Sequence, residues 1–289
     1  MLAFLLFVAL IGPYFTFVDN QLVPEKHRWN EQNRLELPPY PPSELNWLGS
    51  DQSGVDNLSK LIMGTKETIF IIFAVTFIRY MIAIPLGVLA YKKKGVAHLA
   101  VSSLNQIFSF LPTIFSAIII MNIPFLLFTP HRLAWVIVLL AMIEAGRAAY
   151  VIQEQTHMLS RETYIEAANV LGLSPFRRFK GYYLPSLGPE ILINFCVDLG
   201  KVALLLGQLG VLSIFISHNW STVAAYTNSF VNTSLNWITL LAQHRNDIYV
   251  SRFGFVFFPA LGILFTILTF NVLGEGLRKH YNRNLRSLI

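Results

Sequence analysis

The chain has 289 residues, of which 54% are hydrophobic and only 13% are charged, and its formal net charge is +6. A soluble globular domain carries about 25% charged residues, so this composition indicates a membrane protein. The apolar runs are continuous rather than alternating, which favours membrane-spanning helices and argues against a β-barrel. The basic residues cluster beside these runs, where they set membrane orientation, so the positive charge does not indicate nucleic-acid binding.

Six apolar runs predict an all-α polytopic membrane protein with six transmembrane helices. Each run is close to the length of about 20 residues that crosses the hydrocarbon layer as a helix. The first run has no basic start and no small-residue cleavage site, so we interpret it as a retained span rather than a signal peptide. The six predicted spans are residues 2–18, 68–90, 99–121, 133–152, 189–216 and 254–277.

The segment between the first two spans is rich in proline and is expected to be mostly extended or turn-like. Its last part should form a helix that leads into the second span, with Asp56 or Asn57 near the N-cap. The predicted organisation is a first transmembrane helix at residues 1–18, an extracytoplasmic segment at 19–67 and a five-helix transmembrane core at 68–289. The core contains a cytoplasmic loop at residues 153–188 and an outer segment at residues 217–252.

Short basic segments predict the orientation of the spans. Lys92, Lys93 and Lys94 directly follow the second span, and a basic tail follows the sixth. Cytoplasmic loops of membrane proteins carry the excess of Lys and Arg. We therefore expect both termini and the loop 153–188 to lie in the cytoplasm.

The loop contains a stretch with many local structure signals, residues 161–186, which we call the bracket. Thr163 lies three residues before Glu166, the spacing of a capping box, so a first short helix is expected to start at Tyr164. Gly172 is placed to end that helix, because glycine adopts the left-handed conformation at no steric cost. A plain loop does not need this much local specification.

The second half of the bracket predicts another short helix. Ser174 is placed as its N-cap, and Pro175 occupies the first helical position. Gly181 and Pro185 are expected to end this helix. The bracket is therefore predicted to be two short helices joined at a glycine.

Charged residues inside the predicted spans are candidates for pathway residues or for intramembrane ion pairs. Arg79 lies within the second span and is either a pathway residue or half of a buried pair, and we favour the pair. Glu144 and Arg147 lie three residues apart on the fourth span, which places them on one helical face. Asp198 and Lys201 repeat this spacing on the fifth span, so an ion pair is expected there too.

Several kinds of chemistry have no signature in this chain. It has no GxxxxGK[ST] loop and no GxGxxG loop, so no nucleotide site is predicted. Its seven histidines are not at metal-ligand spacing, and no nucleophile elbow occurs, so neither a metal site nor a catalytic residue is predicted. The lone cysteine, Cys196, excludes an internal disulfide.

Four stretches of the chain resemble signatures of permease subunits from binding-protein-dependent ABC importers. Their EAA loop is similar to the bracket sequence Tyr164-Ile165-Glu166-Ala167-Ala168, followed by Gly172 and Leu184-Pro185. The other three stretches resemble the C-type permeases of the dipeptide, oligopeptide and nickel group, and they are Leu48-Gly49-Ser50-Asp51, Leu212-Ser213 and the FNVLGEGLR run at residues 270–278.

This resemblance implies a type I ABC importer permease fold in which the bracket docks on a cytosolic ATPase subunit. Glu166 would be the charged contact, Ala167 and Ala168 the close-packing face, and Gly172 the turn. The full set of ATPase-contact residues implied by the family pattern is Tyr164, Glu166, Ala167, Ala168, Gly172, Leu184 and Pro185.

The resemblance also implies partners and a location. The partners would be a homologous B-type permease subunit, two cytosolic ATPase subunits, an extracytoplasmic substrate-binding protein and membrane lipid, with no nucleic acid. This chain would hold no cofactor and would itself be non-catalytic, since ATP and magnesium bind to the partner subunits. The location would be the bacterial cytoplasmic membrane.

Three functions remain open at the level of sequence. The first hypothesis is a permease subunit that imports peptides. The second is the same assembly importing nickel or another metal chelate. The third is a membrane anchor or signalling subunit that keeps the ATPase contact but transports nothing. A secondary transporter is disfavoured, because an ion-driven carrier has no use for an ATPase contact.

Overall fold

The computed structural model describes residues 1–29, 33–224, 227–250 and 254–286, and these are mainly helical. The helices are α1 Leu2–Leu10, α2 Asn57–Leu89, α3 Gly95–Phe110, α4 Thr113–Met121, α5 Pro124–Leu127, α6 Arg132–Leu159, α7 Thr163–Val170, α8 Pro175–Arg178, α9 Leu184–Val211, α10 Trp237–His244 and α11 Gly254–Arg286. Two antiparallel strand pairs complete the fold, β1 Arg28–Trp29 with β2 Leu35–Glu36 and β3 His218–Ala224 with β4 Thr227–Asn232.

Within the described part of the chain, three single helices are long and apolar enough to cross a membrane, namely α2, α6 and α11. They match the predicted second, fourth and sixth spans, and each is longer than the span predicted for it. The predicted fifth span, 189–216, corresponds to the 28 residues of α9, which ends earlier, at Val211.

The predicted first span, residues 2–18, is not one continuous helix. The helix α1 ends at Leu10, and a 3₁₀ turn at Gly12–Tyr14 follows it, with Pro13 inside the turn. At 1.5 Å per residue, α1 is about 14 Å long, which is about half of the hydrocarbon thickness. The count of six crossings therefore stays a prediction.

The predicted third span, 99–121, is not a straight helix either. It consists of α3 and α4, which meet at an angle of 95°. Leu111 is extended between them, as expected for a residue before proline, and Pro112 is the N-cap of α4. Proline has no amide hydrogen for the helical ladder, and here the chain responds by changing direction.

The proline-rich segment is extended and turn-like, as predicted. It carries β1 and β2, and an isolated bridge between Ser50 and Asp56 closes its last loop. The Asp56 carboxylate accepts hydrogen bonds of 2.7 Å from both the backbone amide and the hydroxyl of Ser59. This confirms Asp56 as the N-cap of α2, which begins before the predicted span start at residue 68.

The chain divides into two compact units. Unit 1 comprises Met1–Ile72, Phe128–Arg132 and Ala203–Thr269. Its core is an apolar cluster formed by Leu5, Trp237, Leu240, Leu241 and Ile263.

Unit 2 comprises Phe73–Leu127, Leu133–Val202 and Phe270–Ile289. It contains one apolar cluster around α2, α3 and α6 and a second beneath the bracket. The first cluster consists of Ala83, Ala90, Val101, Ala149 and Ile152, and the second of Ile165, Tyr183 and Leu187.

The predicted outer segment, residues 217–252, contains a buried helix, α10. The Trp237 indole nitrogen donates a hydrogen bond of 2.8 Å to the carbonyl of Leu61, and Asn236 caps α10 with a capping box. The Asn236 amide also donates to the Glu67 carboxylate at 3.1 Å. These contacts bind α10 to the first half of α2 inside unit 1.

Within unit 2, α2 and α6 cross closely at Gly87. A Cβ atom at this position would lie 2.6 Å from the carbonyl oxygen of Ala149 and 2.8 Å from the Cβ of Ile152. Cβ atoms do not approach other heavy atoms this closely, so only glycine permits the crossing without movement of the helices.

We expect Gly87→Ala to lower the stability of the protein by about 1–3 kcal/mol, because the added methyl group overpacks the crossing. The measurement is thermal unfolding of the purified protein in detergent, followed by tryptophan fluorescence. Gly276→Ala is the matched control, since a Cβ there meets nothing within 4 Å and alanine is the better helix former. Equal shifts of the midpoint in both variants would contradict this account of the crossing.

Candidate functional site

The bracket begins with α7, and its start differs from the prediction. Glu162, not Thr163, is the N-cap residue, and α7 has no side-chain cap hydrogen bond. The Glu162 carbonyl accepts the amides of Ile165 and Glu166, at 2.9 and 3.1 Å. The helix therefore starts at Thr163, one residue earlier than predicted, and the predicted capping box is wrong.

The end of α7 is as predicted. Gly172 is in the left-handed conformation, with φ of +69°. Its amide donates to the carbonyl of Asn169, and the amide of Leu173 donates to the carbonyl of Ala168. These two bonds form a Schellman motif, which satisfies the last carbonyls of α7 and turns the chain sharply.

The second helix of the bracket starts as predicted but does not end as predicted. The Ser174 hydroxyl accepts the Arg177 amide at 3.4 Å, and Pro175 occupies the first turn. Gly181 and Pro185 do not end the helix, because a π turn at Phe179–Tyr183 carries the chain directly into α9. The wider turn accommodates the proline without a break.

The inner face of α7 anchors the bracket to unit 2. Ile165 and Ala168 are buried, and Ile165 packs with Tyr183 and Leu187. Burial raises the pKa of the Tyr183 hydroxyl above its ordinary value, so this side chain stays neutral. The expectation that Ala168 faces a partner is therefore wrong, since its small side chain lets α7 sit closely on its own chain.

The outer face of the bracket exposes apolar side chains. Val170 is 88% exposed, Leu171 76% and Phe176 72%. Large exposed apolar side chains that lie close together are typical of a surface that contacts another protein or a membrane. The exposed bracket residues include Tyr164, Glu166, Ala167, Val170, Leu171, Phe176, Leu184 and Pro185.

A second group of candidate residues meets where α2 packs against α9 in unit 2. Arg79 is 1% exposed, and its Nη1 lies 3.7 Å from the Asp198 carboxylate. The Lys201 ammonium donates to the same carboxylate at 2.8 Å, and the Tyr80 hydroxyl donates to it at 3.1 Å. Both predicted ion pairs of these residues are confirmed, and Asp198 is shared between them.

The third predicted ion pair lies on α6. An Arg147 guanidinium nitrogen lies 3.3 Å from the Glu144 carboxylate, which also accepts a hydrogen bond of 2.5 Å from the Thr113 hydroxyl at the start of α4. Glu144 and Arg147 line one cavity together with Tyr80, Asp198 and Lys201. The two ion-pair groups are thus neighbours, although the sequence predicted them separately.

Sequence reasoning missed several residues of these two sites, among them Tyr80, Thr113, Val170, Leu171 and Phe176. The Tyr80 hydroxyl donates to the Asp198 carboxylate, and the Thr113 hydroxyl donates to the Glu144 carboxylate. The sequence feature that could have indicated them is a polar side chain next to Arg79 in one case and next to Pro112 in the other. Val170 and Leu171 form part of the exposed surface, and an apolar pair directly before Gly172 was the signal there.

Comparison with known proteins identifies a family. Residues 83–287 match the family model described as binding-protein-dependent transport system inner membrane component. The matched range includes the bracket and both ion-pair groups, except Arg79 and Tyr80. The match covers more than half of the chain.

Individual relatives are similar to most of the chain at low identity. The glutathione transport system permease protein GsiD of Pectobacterium atrosepticum is 26% identical over 251 residues, covering 85% of this chain and 75% of that protein. The dipeptide transport system permease protein DppC of Bacillus subtilis is 24% identical over 288 residues, covering 99% and 80%. The probable D,D-dipeptide transport system permease protein DdpC of Escherichia coli is 22% identical over 238 residues, covering 82% and 73%.

We expect Gly172→Val to loosen the C-terminal end of α7, because a β-branched residue in the left-handed conformation costs about 1–2 kcal/mol. Hydrogen exchange of the amides at residues 167–174 should accelerate by about tenfold, since 1.4 kcal/mol corresponds to a factor of ten. Gly172→Asn should have a smaller effect, because asparagine tolerates this conformation.

Gly188→Ala is the control for that experiment, since this glycine lies in α9 with open space around it. Unchanged exchange in Gly172→Val would contradict the assignment of the Schellman motif as the element that ends α7.

We expect Asp198→Asn to lower the free energy of unfolding by on the order of 3–5 kcal/mol, because the Arg79 charge stays buried without its counter-charge. Lys201→Gln should cost about 1 kcal/mol or less, since the Lys201 side chain is half exposed. Denaturation of the purified protein in detergent measures both values.

A double variant, Arg79→Met with Asp198→Leu, should regain most of the stability that Asp198→Asn loses, because it removes both buried charges. The same loss in the single and the double variant would show that the two charges do not depend on each other.

Proposed function

The chain belongs to the family of binding-protein-dependent transport system inner membrane components, and on this premise we propose that it is the permease subunit of an ATP-driven importer of short peptides. The three relatives described above are named for glutathione and dipeptide transport. Their names support peptides over nickel or another metal chelate as the imported substrate.

The observation that carries the proposal is the geometry of the bracket. Its inner face is anchored through Ile165, and its outer face exposes a carboxylate, Glu166, next to large apolar side chains such as Leu171 and Phe176. A docking surface needs both properties, because a partner can transmit force only through an element that is held firmly by its own chain.

The proposed partner at this surface is a cytosolic ATPase subunit. The chain has no nucleotide-binding loop of the usual types, so ATP and magnesium would bind to two such subunits rather than here. This chain would then contribute no catalysis of its own. A homologous B-type permease subunit would complete the pathway, and an extracytoplasmic binding protein would deliver the substrate.

The bracket also has a direct connection to the candidate pathway. The helix that starts at Ser174 continues through the π turn into α9, which carries Asp198 and Lys201. Movement of the bracket by a partner would therefore move this part of α9 with it. We propose that this coupling opens the pathway alternately to the two sides of the membrane, with both termini in the cytoplasm.

We expect Glu166→Arg to reduce ATP hydrolysis by the assembled importer about tenfold or more, because reversing an interface charge opposes docking. The measurement is hydrolysis stimulated by the substrate-loaded binding protein, in proteoliposomes that contain equal amounts of complex. Leu171→Glu should act in the same direction, because it places a charge on the apolar part of the surface.

Glu275→Arg is the matched control, because Glu275 is an exposed glutamate on α11, away from the bracket in sequence, and it pairs with Arg278 at 3.8 Å. Unchanged stimulation of ATP hydrolysis in Glu166→Arg and Leu171→Glu would contradict the proposal that the bracket docks on the ATPase. Normal coupling without any uptake of peptide would favour an anchor or signalling role.

A further inference from the structure

The two ion-pair groups of unit 2 surround a single cavity of about 80 Å³. α2 contributes Tyr80, α6 contributes Glu144 and Arg147, and α9 contributes Asp198 and Lys201. A cavity of this volume has room for a small polar group, such as a carboxylate with a bound water. These polar groups share the wall with apolar side chains such as Val151 and Val197.

Both cations of this cavity lie within predicted membrane spans, Arg147 in residues 133–152 and Lys201 in residues 189–216. Yet the side chains of Arg147 and Lys201 are 47% and 53% exposed. Charged side chains within spans face water or protein rather than lipid, which is consistent with exposed sides that face the pathway.

The cluster also has an excess of positive charge. Three cations, Arg79, Arg147 and Lys201, share two carboxylates, Glu144 and Asp198. Asp198 alone balances two of the cations, because Arg79 and Lys201 both lie against it. Arg79 is nine-tenths or more buried, and its Nε and Nη1 have no hydrogen-bond partner among the described residues. The cavity wall itself carries two cations and two carboxylates, and Arg79, which lies against Asp198 but does not line the cavity, adds the excess positive charge that favours a further carboxylate.

We propose that Arg147 and Lys201 form an anion-binding step in the translocation pathway, which holds a carboxylate group of the passing peptide. This proposal rests on the proposed function, since it assumes that peptides pass here. It names a substrate class, short peptides that carry a net negative charge. Binding is weak enough to permit release, because both cations keep their own carboxylate partners while they contact the substrate.

The first test does not depend on any substrate. In the Cys196→Ala background, Val151→Cys places a thiol on the wall of the cavity while both cations remain. The assembled importer in proteoliposomes is treated with two thiol reagents of similar size, anionic sulfonatoethyl and cationic trimethylammonioethyl methanethiosulfonate. The measured quantity is the ratio of the anionic to the cationic labelling rate. We expect this ratio to be about tenfold higher at Val151→Cys than at Leu45→Cys, an exposed control position outside unit 2.

Adding Lys201→Gln to Val151→Cys should remove most of this preference, and Lys201→Arg should keep it. A thiol that reacts with neither reagent would mean that another protein or lipid covers the cavity, which overturns the proposal. Equal rates with both reagents would also overturn it, because the cavity would then have no net positive potential.

The second test measures selection of the transported peptide. Uptake of Ala-Glu-Ala and of its neutral analogue Ala-Gln-Ala is compared at saturating amounts of binding protein loaded with each peptide. We expect Lys201→Gln and Arg147→Gln to lower the ratio of anionic to neutral uptake about fivefold to tenfold, as expected for loss of one charge-assisted contact. Lys279→Gln, an exposed lysine near the end of α11, is the matched control.

The outcomes separate the two proposals. An unchanged uptake ratio in both cavity variants, or an equal loss of both peptides, overturns the anion-binding step while peptide import stands. If the unaltered importer takes up neither peptide, the proposed function fails for this class. The labelling ratio then still decides whether the cavity attracts anions.

Discussion

The carboxylate of Asp198 is the interaction on which the packing of unit 2 depends. It receives Arg79 and Tyr80 from α2 and Lys201 from its own helix. A charge in this environment costs several kcal/mol unless it is paired and hydrogen-bonded. The pairing therefore fixes the position of α2 against α9, because any slip of one helix would leave the Arg79 charge buried without a partner.

This constraint gives α9 two roles at once. Its first turns are continuous with the bracket through the π turn, and its middle carries the shared carboxylate. The helical path from the bracket into α9 has no break at Pro185, because the helix continues through that residue. The bracket and the shared carboxylate are thus connected by one helical path, as the proposed transmission from a docked partner to a pathway would require.

The two prolines show how far local sequence rules extend. Pro112 ends α3 and turns the chain by 95°, whereas Pro185 is accommodated in a continuing helix. Both lack the same amide hydrogen, so the difference arises from what surrounds them rather than from the residue itself. The same limit explains Ala168, whose small side chain was consistent with either face of α7 and which packs on its own chain beside Ile165.

The amino-acid sequence by itself determined the membrane class, the approximate positions of most spans, the turn at Gly172 and the ion pairs on single helices. These features depend on composition or on residues three or four positions apart, and local spacing encodes both. Only the tertiary structure decided that Arg79 and Tyr80 meet Asp198, that the ion-pair groups share one cavity, and which bracket residues are exposed. Tyr80 and Asp198 are 118 positions apart, and their contact arises from helix packing, which no local pattern specifies.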